Sequence, residues 1–171
     1  PYIRHELIPE NDKAFYRKRY KTFKYRADLY IPFFEYSLEL LKPDGLLSFI
    51  CSNRWLNNQY GKILRDQISS LYNLRKVLNI EKSSPFDEAV TAYPCITTIQ
   101  KSKRSEKVLF CEDNSKQIDF NNLKFTEVEN PKSNSWENLF LHYNINHIAL
   151  NGIEEQGFEI GIGVATGADK V

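Results

Sequence analysis

Cationic and aromatic side chains alternate along residues 15–26 in a pattern that is suited to nucleic acid. The run reads Phe15-Tyr16-Arg17-Lys18-Arg19-Tyr20-Lys21-Thr22-Phe23-Lys24-Tyr25-Arg26. Lysine and arginine neutralise phosphates and aromatic rings stack on unpaired bases, so a segment that grips an opened strand needs both. A solvated helix with one apolar face would use the same residues, and the sequence leaves both interpretations open. If the segment binds nucleic acid, we expect the phosphate contacts to come from Arg17, Lys18, Arg19, Lys21 and Lys24.

A second polar pair, Asn53 and Arg54, follows the apolar run Leu46–Cys51. A short, nearly continuous apolar run is typical of a strand that helices cover on both faces. Doubly wound sheets place their sites beyond the carboxyl ends of such strands. The pattern therefore predicts that Asn53 and Arg54 contact substrate, with helix capping as the alternative role for Asn53.

The elements around this pair predict an α/β fold with a doubly wound sheet. Apolar residues recur at steps of three and four from Leu29 to Leu41, with Asp28 placed to cap the first turn. A second amphipathic helix covers 60–71, and strands are predicted at 74–80 and 90–100, where Pro94 comes too early to lie inside a central ladder. Strand, helix and strand in this order predict a βαβ unit with 46–51 as a parallel central strand.

Composition and charge narrow the class of protein. The net charge is only +1, but residues 1–26 are locally basic, which matches an electrostatic footprint for nucleic acid. No run approaches the roughly 18 apolar residues that span a bilayer, and no leader pattern is present. The cysteines 51, 95 and 111 lie far apart without metal-ligand spacing. We expect a soluble cytoplasmic protein with reduced, buried cysteines and no metal site.

The chain divides into three predicted segments. Residues 1–103 hold the α/β pattern, 104–156 form a linker and helical connection, and 157–171 begin a second domain in which glycines space a β-rich tail. Within the linker, Val108–Cys111 resembles a lone strand in a polar stretch.

Four stretches together resemble a known family of enzymes. They are Pro1-Tyr2-Ile3-Arg4, Ala27-Asp28-Leu29-Tyr30-Ile31-Pro32-Phe33-Phe34, Leu41-Lys42-Pro43-Asp44-Gly45 and Phe49-Ile50-Cys51-Ser52-Asn53-Arg54-Trp55. In this order and spacing they resemble the adenine-N6 DNA methyltransferases of bacterial restriction-modification systems, which use an Asn-Pro-Pro-Tyr motif. The resemblance covers residues 1 to about 100 and resumes at 161–171, which resemble the opening of a target-recognition domain. It implies the C-terminal half of a Rossmann-like methyltransferase sheet.

The resemblance implies roles for particular residues. Pro1 and Tyr2 correspond to the end of the catalytic motif, and Tyr2 to the aromatic residue that stacks on the flipped adenine. Phe86 corresponds to a second aromatic residue on the other face of the base, with Tyr93 as the alternative. Arg4 follows Tyr2 closely, so we expect it to contact DNA.

The resemblance also implies what the chain lacks. The motif Asn, whose oxygen accepts a hydrogen of the adenine amine, and the loop that binds S-adenosylmethionine are expected upstream of Pro1. We therefore expect a fragment that is inactive alone and that self-associates through an exposed sheet edge. The expected partners of the parent enzyme are double-stranded DNA and restriction or specificity subunits.

Two other functions fit parts of the pattern. A DNA-binding or assembly subunit could keep the same fold without catalysis. Methyltransferases of RNA or of protein glutamine share the last two motif residues. The basic aromatic run and the segment 161–171 favour DNA over these alternatives.

Overall fold

The computed structural model describes residues 2–81, 93–115, 117–132, 136 and 138–140. Their helices and strands confirm the predicted α/β class. The helices are α1 (Glu10–Arg19), α2 (Tyr30–Glu39) and α3 (Lys62–Leu71). The strands are β1 (Leu46–Ser52), β2 (Asn73–Asn79), β3 (Pro94–Gln100), β4 (Lys107–Glu112) and β5 (Thr126–Glu129). Short 3-10 helices lie at His5–Leu7, Asn53–Leu56 and Gln59–Gly61.

The strands form one five-stranded sheet with the order β1-β3-β2-β4-β5. β3 is antiparallel to both β1 and β2, β2 pairs with β4 in parallel, and β5 is antiparallel to β4. β1 and β2 therefore run in the same direction with β3 between them. Their carboxyl ends and the start of β3 meet at one edge of the sheet.

The prediction that the run 46–51 is a parallel central strand is wrong. β1 pairs antiparallel with β3 alone among the strands that the structure describes, so it lies at the edge of this sheet. The apolar run signals a strand correctly, but hydrophobicity carries no information about the direction of the neighbouring strand. The chain returns as β3 and enters between β1 and β2. β3 begins at Pro94, whereas the predicted strand began at residue 90, and the missing amide hydrogen of a proline costs least at the first position of a strand.

The prediction of a lone strand at 108–111 is also wrong. β4 pairs with β2 on one side and β5 on the other, so residues beyond 103 extend the same sheet. Val108 and Phe110 are buried, which gives this strand a core face that its polar flanks conceal in the sequence. The boundary placed at residue 103 stays a prediction.

α2 forms where the apolar spacing predicts it. Its buried residues recur at helical steps and pack on β1, and Pro32 lies in the first turn, where the lack of an amide hydrogen is tolerated. Asp44 then adopts a positive φ of 60°, and Gly45 donates to the carbonyl of Lys42 at 2.9 Å. This turn leads the chain directly into β1.

The core lies mainly between the sheet and the helices. Its centre is a group of rings in which Phe34 contacts Phe49 and Trp55 at centroid distances of 5.0 and 5.1 Å, and Trp55 contacts Trp136 at 5.4 Å. On the opposite face Leu78, which follows Val77 of the main core, belongs to a smaller apolar cluster. Alternate residues of β2 thus face opposite sides, as the pleat requires.

Candidate functional site

The candidate site lies at the edge where β1 and β2 end and β3 begins. Ser52 pairs with Pro94, and Asn79 pairs with Cys95, so the last residues of β1 and β2 flank the first residues of β3. Open α/β sheets place ligands at the carboxyl ends of strands that run in the same direction. Several residues predicted from the sequence meet here.

Tyr2 lies at this edge with its side chain partly exposed. Its ring system is 43% accessible, and burial of the hydroxyl raises the pKa of Tyr2 to about 12, with smaller effects from the thiols of Cys51 and Cys95. Cys51 and Cys95 are directly opposite each other on β1 and β3. Tyr2 therefore lies near the end of the β1–β3 ladder, and its phenol stays neutral at physiological pH.

The segment that follows Tyr2 is docked against the residues before α2. The amide of Leu29 donates to the carbonyl of Ile3 at 3.0 Å, and the His5 ring Nδ1 lies 3.1 Å from the Ala27 carbonyl oxygen. The amide of His5 donates to Asp28 Oδ1 at 2.8 Å. Arg4, between these anchors, is exposed and accessible to a ligand.

The prediction that Asp28 caps α2 is wrong. Leu29 is the N-cap residue and makes no side-chain cap, while the Asp28 carboxylate accepts from His5, 23 residues away along the chain. Burial is the largest effect on this carboxyl and raises the pKa of Asp28, while the hydrogen bond from His5 opposes the rise. An aspartate just before an apolar helical pattern indicated a cap from local sequence, but its carboxylate binds a partner distant in the chain instead.

Tyr30, which is buried, and Tyr60, which is partly buried, form a hydroxyl pair. Their hydroxyl oxygens are 2.8 Å apart, which ties the start of α2 to the loop before α3. Burial raises the pKa of both phenols, and Asp28 contributes to both rises. The carboxylate of Asp28 is thus close enough to the tyrosine pair to act on it electrostatically.

Asn53 is buried, with its side chain held inside the protein. Its Nδ2 donates to Asn79 Oδ1 at 3.2 Å and to Glu81 Oε2 at 2.7 Å, and its amide donates to the Tyr93 carbonyl at 2.8 Å. The capping role falls to Ser52, whose hydroxyl accepts from the amide of Arg54. Asn53 is positioned to shape this edge of the sheet, and a DNA contact by it stays a prediction.

Asn79, Glu81 and Glu112 belong to the site edge and were missed in the sequence. Asn79 Nδ2 lies 3.5 Å from Glu112 Oε1, so a row of polar side chains runs from Asn53 across the ends of β2 and β4. Asn79 is itself buried. An asparagine inside the apolar strand Leu78-Asn79-Ile80 was the available signal, because a buried amide requires polar partners.

Arg54 and Tyr93 stack on one another at the same edge. The Arg54 guanidinium carbon lies 3.8 Å from the centre of the Tyr93 ring, and Arg54 is exposed. Tyr93 adopts a positive φ of 46° just before β3. One face of the Tyr93 ring is therefore covered by a cation, which leaves that face closed to a base.

The loop that carries Arg54 is held from below by α3. The buried guanidinium of Arg65 donates to the carbonyls of Trp55 and Asn58. Gly61 approaches the same loop so closely that a Cβ atom there would lie 2.0 Å from the Trp55 carbonyl oxygen. A side chain at position 61 would displace this loop.

The basic run forms α1 and the loop after it, with its cations outside. Tyr16 packs edge-on against the buried Phe23 at 5.4 Å, and the His5 ring lies 5.9 Å from Phe23. Arg26 also pairs with Glu6. The run is thus attached beside the Tyr2 segment. An apolar face packs inward, as the helix interpretation expects, and the cations Arg17, Lys18, Arg19, Lys21 and Lys24 are exposed, while their contact with phosphate stays a prediction.

Two exposed rings and one ion pair complete this surface. Phe15 and Tyr25 are each 61% accessible, so both could meet an unpaired base. Arg19 pairs with Glu39 at 3.3 Å and lies 5.0 Å from the Tyr20 ring centre. Among the described residues, Arg17, Lys18, Lys21 and Lys24 are exposed and take part in none of the ion pairs of this surface, which leaves them accessible to phosphate.

A buried carboxylate holds the loop after α1. Glu35, which is 3% accessible, accepts the amides of Lys21 and Thr22 at 3.0 and 2.8 Å. Both oxygens of Glu35 are used, so the loop has one fixed position on α2. No sequence pattern indicated this contact, because it joins a loop to the buried face of a helix.

Some predicted positions lie outside the described residues. These are Pro1, Phe86, most of the helical connection up to residue 156, and the segment 157–171.

The three cysteines are buried and free, as predicted. In the described ranges, no group of histidine, cysteine and carboxylate side chains is arranged to hold a metal ion. No helix among these residues is long and apolar enough to cross a membrane.

Residues 1–86 match the Eco57I restriction-modification methylase family. The Type II methyltransferase M.BstVI of Geobacillus stearothermophilus is 50% identical over 63% of the chain and 19% of its own length. M.XhoI of Xanthomonas vasicola, also a Type II methyltransferase, is 33% identical over 100% of the chain and 36% of its own length. The chain therefore spans about a third or less of these two relatives.

The fold agrees with that of a solved methyltransferase. A Listeria monocytogenes protein described as a class I S-adenosylmethionine-dependent methyltransferase superimposes with a TM-score of 0.52 at 14% identity, over 65% of this chain and 34% of that one. Such a likeness supports the predicted Rossmann-like methyltransferase sheet. The matches in sequence and in fold agree, and the chain belongs to the Eco57I restriction-modification methylase family.

Proposed function

We propose that the chain is part of a DNA methyltransferase that transfers a methyl group from S-adenosylmethionine to N6 of a flipped adenine. The observation that carries this proposal is the position of Tyr2, partly exposed at the edge of the sheet where β1 ends. The adenine amine is a poor nucleophile, so the enzyme must hold the base in line with the methyl donor. A partly exposed ring at this edge of the sheet offers a surface for such stacking.

The charge distribution supports DNA as the substrate. Arg4 lies on the segment that follows Tyr2, and the exposed cations of α1 lie on the basic run. The two are neighbours, because the ring of His5 lies next to the ring of Phe23. Arg54, stacked on Tyr93, adds a cation at the same sheet edge as Tyr2. Phosphate neutralisation positions a duplex, while stacking residues engage the extruded base. For the second stacking role we propose Phe86, because Arg54 already covers one face of Tyr93.

The methyl donor S-adenosylmethionine is a substrate of the proposed reaction. We assign its contacts to the part of the enzyme upstream of Pro1. The strands that run in the same direction here end in Ser52, Asn79 and Glu112. A glycine-rich turn, which lets a backbone approach a nucleotide, follows none of these three strand ends. We therefore assign no donor contact to the described residues, and we expect the isolated chain to be inactive.

We further propose that the intact protein acts in the bacterial cytoplasm, within a restriction-modification system. Restriction or specificity subunits would be its protein partners and duplex DNA its substrate. Residues 1–103 would belong to the catalytic domain, 104–156 to a connection and 157–171 to a target-recognition domain. The buried, free cysteines suit a reducing compartment.

The test uses the intact protein with duplex DNA and a labelled methyl donor, followed by nucleoside analysis. We expect N6-methyladenine, a large loss of transfer for Tyr2→Ala and a small loss for Tyr2→Phe, which keeps the ring. Phe120→Ala is the matched control, because Phe120 is an exposed ring in the loop after β4. Label in RNA or protein alone would overturn the DNA proposal. DNA binding without any transfer would favour a non-catalytic subunit.

A further inference from the structure

The Tyr2–His5 segment is fixed to the residues before α2 by one side chain in particular. Of the three hydrogen bonds that join residues 3–5 to 27–29, two use backbone carbonyls as acceptors and the third uses the carboxylate of Asp28. Asp28 Oδ1 accepts the amide of His5 at 2.8 Å, on the far side of Arg4 from Tyr2. The carboxylate therefore controls where the segment turns after Tyr2.

Asp28 is not needed to begin the helix beside it. The amide of Ile31 donates to the backbone carbonyl of Asp28 at 3.1 Å, and the carboxylate takes no part in capping. Its half-buried setting disfavours the charged form, as the raised pKa of Asp28 shows. The hydrogen bond from an amide 23 residues away ties the Asp28 carboxylate to the segment rather than to its own helix.

We propose that Asp28 is a positioning residue that sets the orientation of Tyr2 and Arg4 toward the flipped base. This proposal rests on the proposed function. The amide that Asp28 accepts belongs to His5, the first residue of the 3-10 helix His5–Leu7, so the carboxylate holds the segment where it enters that helix. Without the carboxylate, two of the three bonds between residues 3–5 and 27–29 would remain, and we expect the segment to shift and to carry the Tyr2 ring out of line with the methyl donor. A displacement of about 1 Å at a reacting centre can lower a rate about a hundredfold.

The experiment compares four versions of the intact protein with the wild type. Asp28→Ala removes the acceptor, Asp28→Asn keeps an oxygen in the same place, and Asp28→Glu keeps the charge but displaces it by one methylene. The control is Asp119→Ala, since Asp119 Oδ1 also accepts a backbone amide, that of Asn121 at 3.0 Å, in the loop after β4. For each version we measure the single-turnover rate of methyl transfer, the DNA dissociation constant and amide hydrogen exchange of residues 2–8.

We expect Asp28→Ala and Asp28→Glu to transfer methyl about ten- to a hundredfold more slowly than the wild type. Exchange of residues 2–8 should accelerate about tenfold or more in Asp28→Ala, while exchange of α3 stays unchanged. Asp28→Asn should restore the rate to within about threefold, because its oxygen still accepts from His5. DNA affinity should change by less than about threefold in Asp28→Asn and should fall in Asp28→Ala and Asp28→Glu, because Arg4 moves with the segment. Asp119→Ala should match the wild type in every measurement.

Unchanged exchange of residues 2–8 in Asp28→Ala would overturn the proposal, as would wild-type transfer rates in both Asp28→Ala and Asp28→Glu. A slow Asp28→Asn variant with normal exchange would also overturn it, since the carboxylate would then act on the reaction rather than on the segment. A wild-type protein that methylates no adenine would overturn the proposed function instead. In that case the exchange data alone decide whether Asp28 holds the segment. The Asp28→Asn and Asp28→Glu versions keep the comparison decisive if Asp28→Ala does not fold.

Discussion

The guanidinium carbon of Arg54 lies 3.8 Å from the centre of the Tyr93 ring, at the edge of the sheet that carries Tyr2. The Tyr93 carbonyl accepts the amide of Asn53 at 2.8 Å, so the residue beneath the cation is itself fixed to the end of β1. Stacking orients a guanidinium while its N–H groups remain available to phosphate.

From this contact we predict different effects for the two residues in DNA binding. Arg54→Ala should weaken binding and reduce the slope of log affinity against log salt by about 1, the loss of one phosphate contact. Tyr93→Ala should weaken binding with the slope unchanged, because the charge remains. The control is Arg75→Ala, an exposed arginine near the start of β2, which should bind as the wild type does. If Tyr93→Ala abolished base flipping at normal affinity, Tyr93 would be the second stacking residue.

The two glutamates of α2 should differ sharply in their effect on stability. Glu35→Gln replaces one of two accepting oxygens by a donor that faces the backbone amides of the Lys21 loop. We expect the free energy of unfolding to fall by about 1.5–3 kcal/mol, as for a buried hydrogen bond to a charged group. Glu39→Gln, which breaks a half-exposed pair with Arg19, should cost less than about 1 kcal/mol. Urea unfolding measures both free energies. Equal losses would contradict the stabilising role of the two hydrogen bonds that Glu35 accepts.

Stability should fall at alkaline pH. Burial raises the pKa of the Tyr2 phenol and of the Cys51 thiol to about 12 each, from ordinary values of 10.0 and 9.0. Because the folded state holds these protons more tightly than the unfolded state, their contribution is intact below about pH 9. It is lost as the pH rises from there to about 12. Urea midpoints between pH 8 and pH 11 test this, and a smaller decline is expected for Cys51→Ala.

The chain expressed alone should self-associate. Phe33 and Tyr36 on α2 and the C-cap residue Leu40 are exposed at helical spacing, and Leu46 and Ile50 are exposed on β1. The outer edge of β1 has no partner among the described strands, and such an edge offers free backbone groups to a second chain. Light scattering during gel filtration should show species larger than 20.1 kDa. The double variant Leu46→Lys with Ile50→Lys should shift them toward the monomer, and a monomeric wild type would contradict the prediction.

The sequence alone determined the elements whose signal is local. α2, α3 and the strands β1 and β2 follow from apolar spacing over a few turns or residues, and Pro94 marked the start of β3. The burial of the cysteines followed from their apolar neighbours. The family was readable because the residues of each stretch that resembles it are contiguous in the chain.

Only the tertiary structure decided which of these elements meet. The entry of β3 between β1 and β2, the addition of β4 and β5 to the sheet, and the bond from His5 to Asp28 all join distant parts of the chain. So do the Arg54–Tyr93 stack and the polar row through Asn79. A residue type and its neighbours in sequence specify what a side chain can bond to. The packing of the whole chain selects which of those partners it finds.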